Sequence, residues 1–337
     1  MWYFEDKVKA AWKDADAWIK DFGGSIAAQW NEDLSGIAFR CKTRDVSDLL
    51  TNRNMFPSIP LIHWVADAVE WKNDSIISEL STGAFLAYMF IRFQDDVMDG
   101  QAESAGGLLV GNVCLEGFHL RYGNIFKPDH DFWNLWRDLM QRYSETTLWE
   151  FRKRSESKRV FSTSDLERLG EKFVLAAAPA AAVAYLGGET GLIGPIVELT
   201  ESLGRGLQLV NDHMGLAHDF ETSNYTAVIN DILLGVPDIR GIEEAVFPRR
   251  ALVTDALERN LRRSRIFFRC AATIAHDNRI PYVADYAAEH EAYLEEEIHR
   301  LADLRDRARA MDEKESFSAE CLNDCRPAIL REVTPAG

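Results

Sequence analysis

The sequence predicts an all-α fold, and three observations indicate it. Nearly every long segment repeats its apolar residues at helical spacing. Alternating strand patterns bounded by tight turns are scarce, and glycine or proline breakers fall between the periodic segments. The chain has 337 residues, of which 47% are apolar, so it can bury a large core. We expect one continuous helical domain over 1–311 and a polar, loosely held tail over 312–337.

Breakers set the boundaries of the individual helices. The punctuation comes from Gly23-Gly24, Pro57 to Pro60, Gly106-Gly107, Pro128, Gly187-Gly188, Gly235 to Pro237 and Pro281. Between these breakers, the apolar periodicity predicts helices near 4–21, 45–53, 60–72, 75–99, 103–121, 129–157, 163–186, 190–219, 224–234, 239–276 and 282–311.

Two of these helices carry a further local signal. Thr163 is followed by Asp165 and Glu167, which is typical of a helix N-cap with acids in the first turn. Pro179 lies inside an alanine-rich run, where it removes a backbone hydrogen bond and clashes with the preceding turn. We therefore expect the helix over 163–186 to kink, unless the small residues there serve simple core packing.

Charge and cysteine usage limit the partners and the compartment. The formal net charge of −16 argues against a nucleic acid or an anionic membrane as the main partner. Trp2-Tyr3-Phe4 is followed at once by charged residues, so no signal peptide is expected. No apolar run is long enough for a transmembrane segment. The five scattered cysteines are expected to be thiols, which suits a cytoplasmic protein.

A cluster of acids closes the helix predicted over 75–99. Asp95 and Asp99 are four residues apart and share a helical face, while Asp96 lies about 100° round the helix. Clustered carboxylates repel one another, and in so apolar a helix they indicate a divalent cation. Mg²⁺ prefers carboxylate oxygens together with waters and substrate phosphates. The alternative is an acidic helix end that simply faces solvent.

A second polar cluster follows about 115 residues later. Asn211, Gly215 and Asp219 recur at helical spacing on one face, which also carries Gln208 and Gly204. Oxygen ligands at two levels, with small residues between them, suit a second contact with a metal and a diphosphate. One such cluster could consist of polar residues that only face solvent, but two clusters in apolar helices are harder to explain in that way.

These two motifs resemble those of the class I terpenoid synthase superfamily, which includes terpene cyclases and isoprenyl diphosphate synthases. Asp95-Asp96-x-x-Asp99 is similar to the aspartate-rich motif of that family. Asn211-Asp212-x-x-Gly215-x-x-x-Asp219 is similar to its second metal motif, Asn-Asp-x-x-Ser-x-x-x-Glu. The resemblance implies a single-domain helical bundle around a central apolar cavity.

The resemblance also implies a metal site. Family members bind three Mg²⁺ that hold a prenyl diphosphate, whose metal-assisted departure leaves an allylic carbocation. Carried over, Asp95 and Asp99 would bridge two ions, while Asn211 and Asp219 would hold the third; these four are the predicted catalytic residues. Gly215 lacks the usual hydroxyl ligand, which a water, Asp212 or His218 would replace. The predicted metal ligands are Asp95, Asp96, Asp99, Asn211, Asp212 and Asp219.

Further residues are predicted to bind the substrate. Arg168 lies a little over forty residues before Asn211, where family cyclases carry an arginine that senses diphosphate, and Lys172 follows one turn later. Surface ion pairs with neighbouring glutamates are the alternative. Aromatic walls would shield the carbocation, although an aromatic stripe is more often ordinary core. The predicted substrate contacts are Arg168, Lys172, Gln208 and, upstream of Asp95, Arg92, Tyr88 and Phe85.

The number of diphosphate sites separates two activities. A chain-elongating synthase resembles a protein with two Asp-Asp-x-x-Asp motifs and an early Gly-Lys-x-x-Arg segment, and this sequence has neither feature. The sequence therefore favours a terpene cyclase that converts farnesyl or geranylgeranyl diphosphate to a cyclic hydrocarbon or alcohol. A prenyltransferase related to isoprenyl diphosphate synthases is the alternative, and a homodimer is one expected assembly.

Two hypotheses come from other functional classes. His218-Asp219 and His276-Asp277 would suit a helical metal-dependent phosphohydrolase of the His-Asp type. That hypothesis leaves the first acidic motif unexplained. A non-catalytic helical partner protein, with solvated acids, is the other alternative.

Overall fold

The computed structural model describes residues 4–40, 56–102, 104–155, 161–222, 224, 226–234 and 247–310. These residues form helices and the turns that join them, with no strand among them. The all-α prediction is therefore confirmed. The helix predicted near 45–53 and the tail over 312–337 lie outside the described residues.

The helices in the first part of the chain are α1 (Glu5–Asp21), α2 (Gly24–Arg40), α3 (Ser58–Ala68), α4 (Asp74–Met98), α5 (Gly106–Ile125) and α6 (Asp131–Ser155). Those that follow are α7 (Thr163–Leu169), α8 (Ala177–Leu186), α9 (Ile193–Met214), α10 (Leu216–Glu221), α11 (Ala227–Ile232), α12 (Phe247–Val253), α13 (Ala256–Asp277) and α14 (Pro281–Ala310). Short 3₁₀ helices cover Gly170–Ala176 and Thr190–Leu192.

The contacts between residues divide the chain into two compact units, each assembled from separate stretches. The first unit takes the described residues of Met1–Gln141, Val174–Val197 and Asn278–Pro281. The second unit takes those of Arg142–Phe173, Glu198–Asp277 and Tyr282–Gly337. The expected single domain over 1–311 stays a prediction, and each unit is described by itself.

Close packing of α4 against α5 builds the first unit. Gly83 on α4 leaves room for the ring of Tyr122, because a Cβ atom there would lie 2.6 Å from that ring. The Tyr122 hydroxyl donates a hydrogen bond of 3.0 Å to the carbonyl oxygen of Leu80, which ties α5 to the middle of α4. Helix α1 covers the same core with Val8, Ala11, Ala15 and Ile19. The acidic end of α4 is therefore carried on a rigid, fully packed helix.

Helix α2 was absent from the sequence-based prediction. Its buried residues Trp30, Leu34 and Ile37 follow helical spacing. Two glycines, two serines and a short buried face weaken the periodic signal in this segment, so no helix was predicted between residues 21 and 45. The indole nitrogen of Trp30 donates a hydrogen bond of 2.9 Å to Asp16 on α1, and this buried contact fixes α2 in place.

Three predicted helices have a different internal structure. The segment over 163–186 changes to a 3₁₀ helix before Ala177, and its N-cap is Ser162 and not Thr163. Ser162 is the N-cap because its hydroxyl accepts a hydrogen bond from the backbone amide of Asp165. The Asp165 carboxylate in turn accepts one from the backbone amide of Ser162, which completes a capping box. The segments over 190–219 and 239–276 are interrupted at Gly215 and at Asp255, where φ is 57°.

Helix α9, which carries the second motif, is held tightly in the second unit. The amide of Asn260 on α13 donates to the carbonyl oxygen of Leu209 at 2.7 Å, and the Ser264 hydroxyl donates to that of Gly206 at 2.8 Å. Gly206 also faces the fully buried ring of Phe268. The motif-bearing helix therefore depends on a close approach that only glycine permits.

Two segments are long and apolar enough to cross a membrane by length and composition, namely Asp74–Met98 and Thr163–Leu186. In each case 67% of the apolar window is buried inside the protein, as in core helices. Among the described cysteines, Cys114 is a buried thiol and Cys270 an exposed one.

The Gly206 contact leads to a stability prediction. In Gly206→Ala the new Cβ would lie 2.8 Å from the Phe268 ring, so we expect the free energy of unfolding to fall by about 1–3 kcal/mol. Gly123→Ala is the matched control, since its Cβ meets nothing within 4 Å on an exposed turn of α5. There we expect a gain of about 0.5–1 kcal/mol. Denaturant unfolding of both variants measures the difference, and an unchanged Gly206→Ala would contradict it.

Candidate diphosphate and metal site

The first motif closes α4 at the electrostatically unfavourable end of the helix. Asp95 and Asp96 lie in the last turn and Asp99 is the C-cap residue, while no basic residue lies in that turn. The carbonyl end of a helix carries a partial negative charge of about half an electron, so carboxylates there are repelled by the helix as well as by each other. A bound cation would relieve both repulsions.

Solvent access divides the three acids. Asp96 is only 4% exposed, and its Oδ1 lies 3.0 Å from the Nη2 atom of Arg92 one turn earlier. Asp95 is half-buried and Asp99 is exposed. Asp96, which was predicted as a metal ligand, is therefore paired with Arg92, which was predicted as a substrate contact. Asp95 and Asp99 are the more accessible carboxylates of the motif, and their role as metal ligands stays a prediction.

A small cavity adjoins Asp96 within the first unit. Its volume is about 20 Å³, enough for one water molecule, and its lining includes Glu32 and Asp33 of α2. The Asp33 carboxylate accepts a hydrogen bond of 2.9 Å from Gln29. These two acids were missed in the sequence because α2 itself was missed; the helical spacing of Trp30 and Leu34 beside them was the available signal.

The aromatic stripe upstream of Asp95 is partly core. Phe85 is fully buried and its ring meets that of Trp12 on α1 edge-on, with centroids 5.4 Å apart. The structure thus places Phe85 in the packed core, whereas the sequence placed it on a cavity wall, because α1 covers this face of α4. Tyr88 is half-buried and its ring lies 6.4 Å from that of Phe85. Its role as a wall stays a prediction.

The second motif surrounds the break between α9 and α10 in the second unit. Asn211 is exposed, whereas Asp212 and Asp219 are buried, with exposed fractions of 3% and 9%. The side-chain amide of Gln208 donates to Asp212 Oδ1 at 2.8 Å. The amide of Asn224 donates to Asp219 Oδ1 at 2.9 Å. Both acids are therefore held in fixed orientations by neutral hydrogen-bond donors.

Gly215 is where this motif departs most from the family pattern. The backbone turns here, yet the amides of Gly215 and Asp219 still donate to the carbonyl oxygens four residues earlier. A Cβ atom on Gly215 would lie 3.3 Å from Asp219 Oδ2. The shorter carboxylate of Asp219 therefore lies against the space that a serine side chain would enter.

The two predicted cations of the α7 region have other partners in the second unit. The Arg168 guanidinium lies over the Trp149 ring, 4.8 Å from its centroid. Lys172 forms an ion pair of 2.6 Å with Glu150, a glutamate of α6 that is only 5% exposed. For Lys172, the alternative that the sequence offered was an ion pair with a neighbouring glutamate. The ion pair is present, but its partner is a residue of α6. A diphosphate-binding role for either side chain stays a prediction.

A buried charged cluster beside the second motif escaped the sequence analysis. His213 is next to Asp212, and its Nε2 atom lies 3.8 Å from Glu297 Oε1 on α14. Burial raises the pKa of Glu297, but the hydrogen bonds from Arg300 and the contact with His213 outweigh it, so this pKa is lowered. Only the adjacency of a histidine to the motif could have indicated this cluster, since Glu297 is remote in sequence.

Among the described residues, no group of three or more His, Cys, Asp or Glu side chains is arranged to hold a metal ion alone. This arrangement is compatible with Mg²⁺, which is usually bound through one or two carboxylates and the phosphates of its substrate. His276, one of the two histidines in the His-Asp phosphohydrolase hypothesis, is 85% exposed and contacts only its neighbour Asp277 among the interactions seen here.

Solved structures share the fold. A geranylgeranyl pyrophosphate synthetase from the archaeon Geoglobus acetivorans matches with a TM-score of 0.64 and 13% sequence identity, over 84% of this chain and 99% of that one. A polyprenyl synthase from Roseobacter denitrificans matches with a TM-score of 0.56 and 14% identity, over 86% and 99%. No protein-family model and no curated sequence matches this chain. The chain therefore has the all-α isoprenyl diphosphate synthase-like fold.

The different surroundings of Asp96 and Asp99 lead to a stability prediction. Asp96→Asn removes the partner of a largely buried Arg92, so we expect the free energy of unfolding without metal to fall by about 1–2 kcal/mol. Asp99→Asn removes a repelled carboxylate from a helix end and should leave stability within about 0.5 kcal/mol. Equal losses in denaturant unfolding of the two variants would contradict this assignment.

Proposed function

We propose that this protein is a Mg²⁺-dependent enzyme that ionises a prenyl diphosphate. The observation that carries the proposal is the placement of three carboxylates at the carbonyl end of α4 with no basic residue in the last turn. The electrostatic cost of that placement is relieved by a divalent cation. The shared fold with two named synthases supplies the class of substrate.

The residues of this chain take distinct roles in the proposal. Asp95 and Asp99 would hold two ions and Asn211 and Asp219 would hold a third, while Gln208 orients Asp212. When bound, the ions neutralise the diphosphate and make it a better leaving group. The carbon–oxygen bond of the substrate then breaks, and the electron pair leaves with diphosphate.

Transfer of the prenyl group to a second substrate is the favoured outcome. The two solved structures described above are named as a geranylgeranyl pyrophosphate synthetase and a polyprenyl synthase, and the chain covers 99% of each. In this outcome the double bond of an acceptor attacks the carbocation, a carbon–carbon bond forms, and the acceptor then loses a proton. Isopentenyl diphosphate is the first acceptor to test.

Terpene cyclisation is the second candidate, and one specific observation favours it. The sequence contains a single Asp-Asp-x-x-Asp motif, and its second motif begins with Asn211. A single diphosphate site suits an enzyme whose carbocation is attacked by a double bond of the same molecule. The product would be a cyclic hydrocarbon or alcohol from farnesyl or geranylgeranyl diphosphate.

Incubation with prenyl diphosphates tests the proposed function and separates its two outcomes. Geranyl, farnesyl and geranylgeranyl diphosphates are supplied with Mg²⁺, with and without isopentenyl diphosphate, and products are identified by mass spectrometry. We expect diphosphate release that requires Mg²⁺ and longer prenyl products that require isopentenyl diphosphate. Cyclic products without isopentenyl diphosphate would establish the second candidate instead.

The same assay includes matched variants. Asp95→Ala and Asn211→Ala should each reduce the rate by at least about a hundredfold, since each removes a ligand that positions transition-state charge. Asp129→Ala, which changes an exposed aspartate before α6, should retain full activity. Full activity of Asp95→Ala, or diphosphate release by none of the three substrates, would exclude the proposed mechanism.

Gly215 permits a gain-of-function prediction. Gly215→Ser adds the hydroxyl ligand that this motif lacks, and its Cβ would lie 3.3 Å from both Asp219 Oδ2 and the carbonyl oxygen of Asn211, so each must shift by a few tenths of an ångström. We expect the Mg²⁺ concentration for half-maximal activity to fall by about threefold or more, because one further charge-assisted contact is worth roughly 1 kcal/mol.

Gly215→Ala is the control, since it adds the same Cβ without an oxygen. It should leave the half-maximal Mg²⁺ concentration unchanged or raise it. If both variants respond alike to Mg²⁺, the hydroxyl is not a ligand and the third-ion assignment at this position is wrong.

A further inference from the structure

The C-terminal part of α6 presents an exposed apolar and basic face in the second unit. Leu148 and Phe151 are 50% and 48% exposed, which is unusual for side chains of this size. Arg152 is also exposed, one turn after Leu148. Residues three and four apart share a helical face, so the two apolar side chains and the arginine point to the same side.

A basic pocket adjoins this face. Its volume is about 580 Å³, and its lining is Glu145, Leu148, Trp149, Arg152, Lys153 and Arg168. The Lys153 ammonium lies 5.1 Å from the centre of the Trp149 ring and the Arg168 guanidinium 4.8 Å from it. Asp165 holds Lys153 at 2.6 Å. Two cationic side chains therefore lie against the Trp149 ring, next to the exposed apolar side chains of Leu148 and Phe151.

The charge of this region is opposite to that of the chain. Its described charged side chains are three cations, Arg152, Lys153 and Arg168, and two acids, Glu145 and Asp165, whereas the whole chain has a net charge of −16. At physiological salt, charges more than about 8 Å away are largely screened. A partner at this face therefore meets the local positive charge and not the net negative charge.

We propose that the surface formed by Leu148, Phe151, Arg152, Lys153 and Arg168 docks onto the anionic headgroups of a lipid bilayer. A soluble phosphate would leave Leu148 and Phe151 in water, whereas a bilayer takes up apolar and basic side chains from one face together. Basic residues beside exposed apolar side chains are the pattern that anionic lipids recognise. With so few anchors, the attachment is peripheral, reversible and sensitive to salt.

The surface lies beside the second motif. Trp149 packs against the buried cluster that contains Leu166, Leu169 and Leu209, and Leu209 is two residues before Asn211. If the proposed function holds, an amphiphilic prenyl diphosphate would be concentrated at the same membrane surface. The docking itself does not depend on that function.

Vesicle co-sedimentation without Mg²⁺ or prenyl diphosphate tests the docking alone. Vesicles of phosphatidylcholine are compared with vesicles that also contain phosphatidylserine, at low and high salt. We expect binding to the anionic vesicles only, weakened by salt. Arg152→Glu should reduce the affinity about tenfold or more, since each basic residue near the surface contributes roughly fivefold. Phe151→Ser should also reduce it, by about fivefold.

Two variants serve as controls, because they make the same kinds of substitution at exposed positions away from the proposed surface. Arg307→Glu changes an exposed arginine of α14, and Ile266→Ser changes a side chain of α13 that is 59% exposed. Both should bind anionic vesicles like the unmodified chain. Equal binding to neutral vesicles, no binding to either vesicle, or equal losses in the controls would overturn the proposal. So would a shift from dimer to monomer in Phe151→Ser by light scattering, which would make this face an interface between copies.

Discussion

The placement of acidic groups at the carbonyl ends of long core helices is the constraint on which the rest of the structure depends. Such an end already carries partial negative charge, so each carboxylate there lowers stability unless a cation compensates it. Helix α4 ends in this way with three aspartates, and α9 ends with Asn211 and Asp212. The chain compensates Asp96 internally through Arg92 and orients Asp212 through Gln208. Asp95 and Asp99 are left within reach of an external cation.

The helices that bear these groups are fixed by contacts that tolerate little change. Tyr122 packs against Gly83 of α4, and Phe268 packs against Gly206 of α9, each at a distance that excludes a Cβ atom. Buried Asn260 and Ser264 add hydrogen bonds to backbone carbonyls of α9. Since packed cores deform little, the acidic ends keep their positions without a metal ion. In the proposed function, a metal ion would therefore bind to groups that are already placed.

The sequence predicted the helical class and both acidic motifs, because helical periodicity and charge clusters are local properties. It missed α2, whose buried face is short, and it extended one helix through Gly215, where the hydrogen bonds continue although the helix breaks. It also treated Phe85 as a cavity wall. Ordinary core packing was the stated alternative, and Trp12 on a different helix does cover Phe85. The pair of Asp96 with Arg92 has the i,i+4 spacing of a helical ion pair and could have been predicted, whereas Glu297, the contact of His213, is remote in sequence.

A crystal structure with Mg²⁺ and a non-ionisable prenyl thiodiphosphate tests the central claim most directly. The account predicts ions bound by Asp95 and Asp99 and by Asn211 and Asp219, each also bound by diphosphate oxygens, while Asp96 remains paired with Arg92. A diphosphate bound without metal, or metal bound through Asp96 with Asp95 and Asp99 still in solvent, would contradict it.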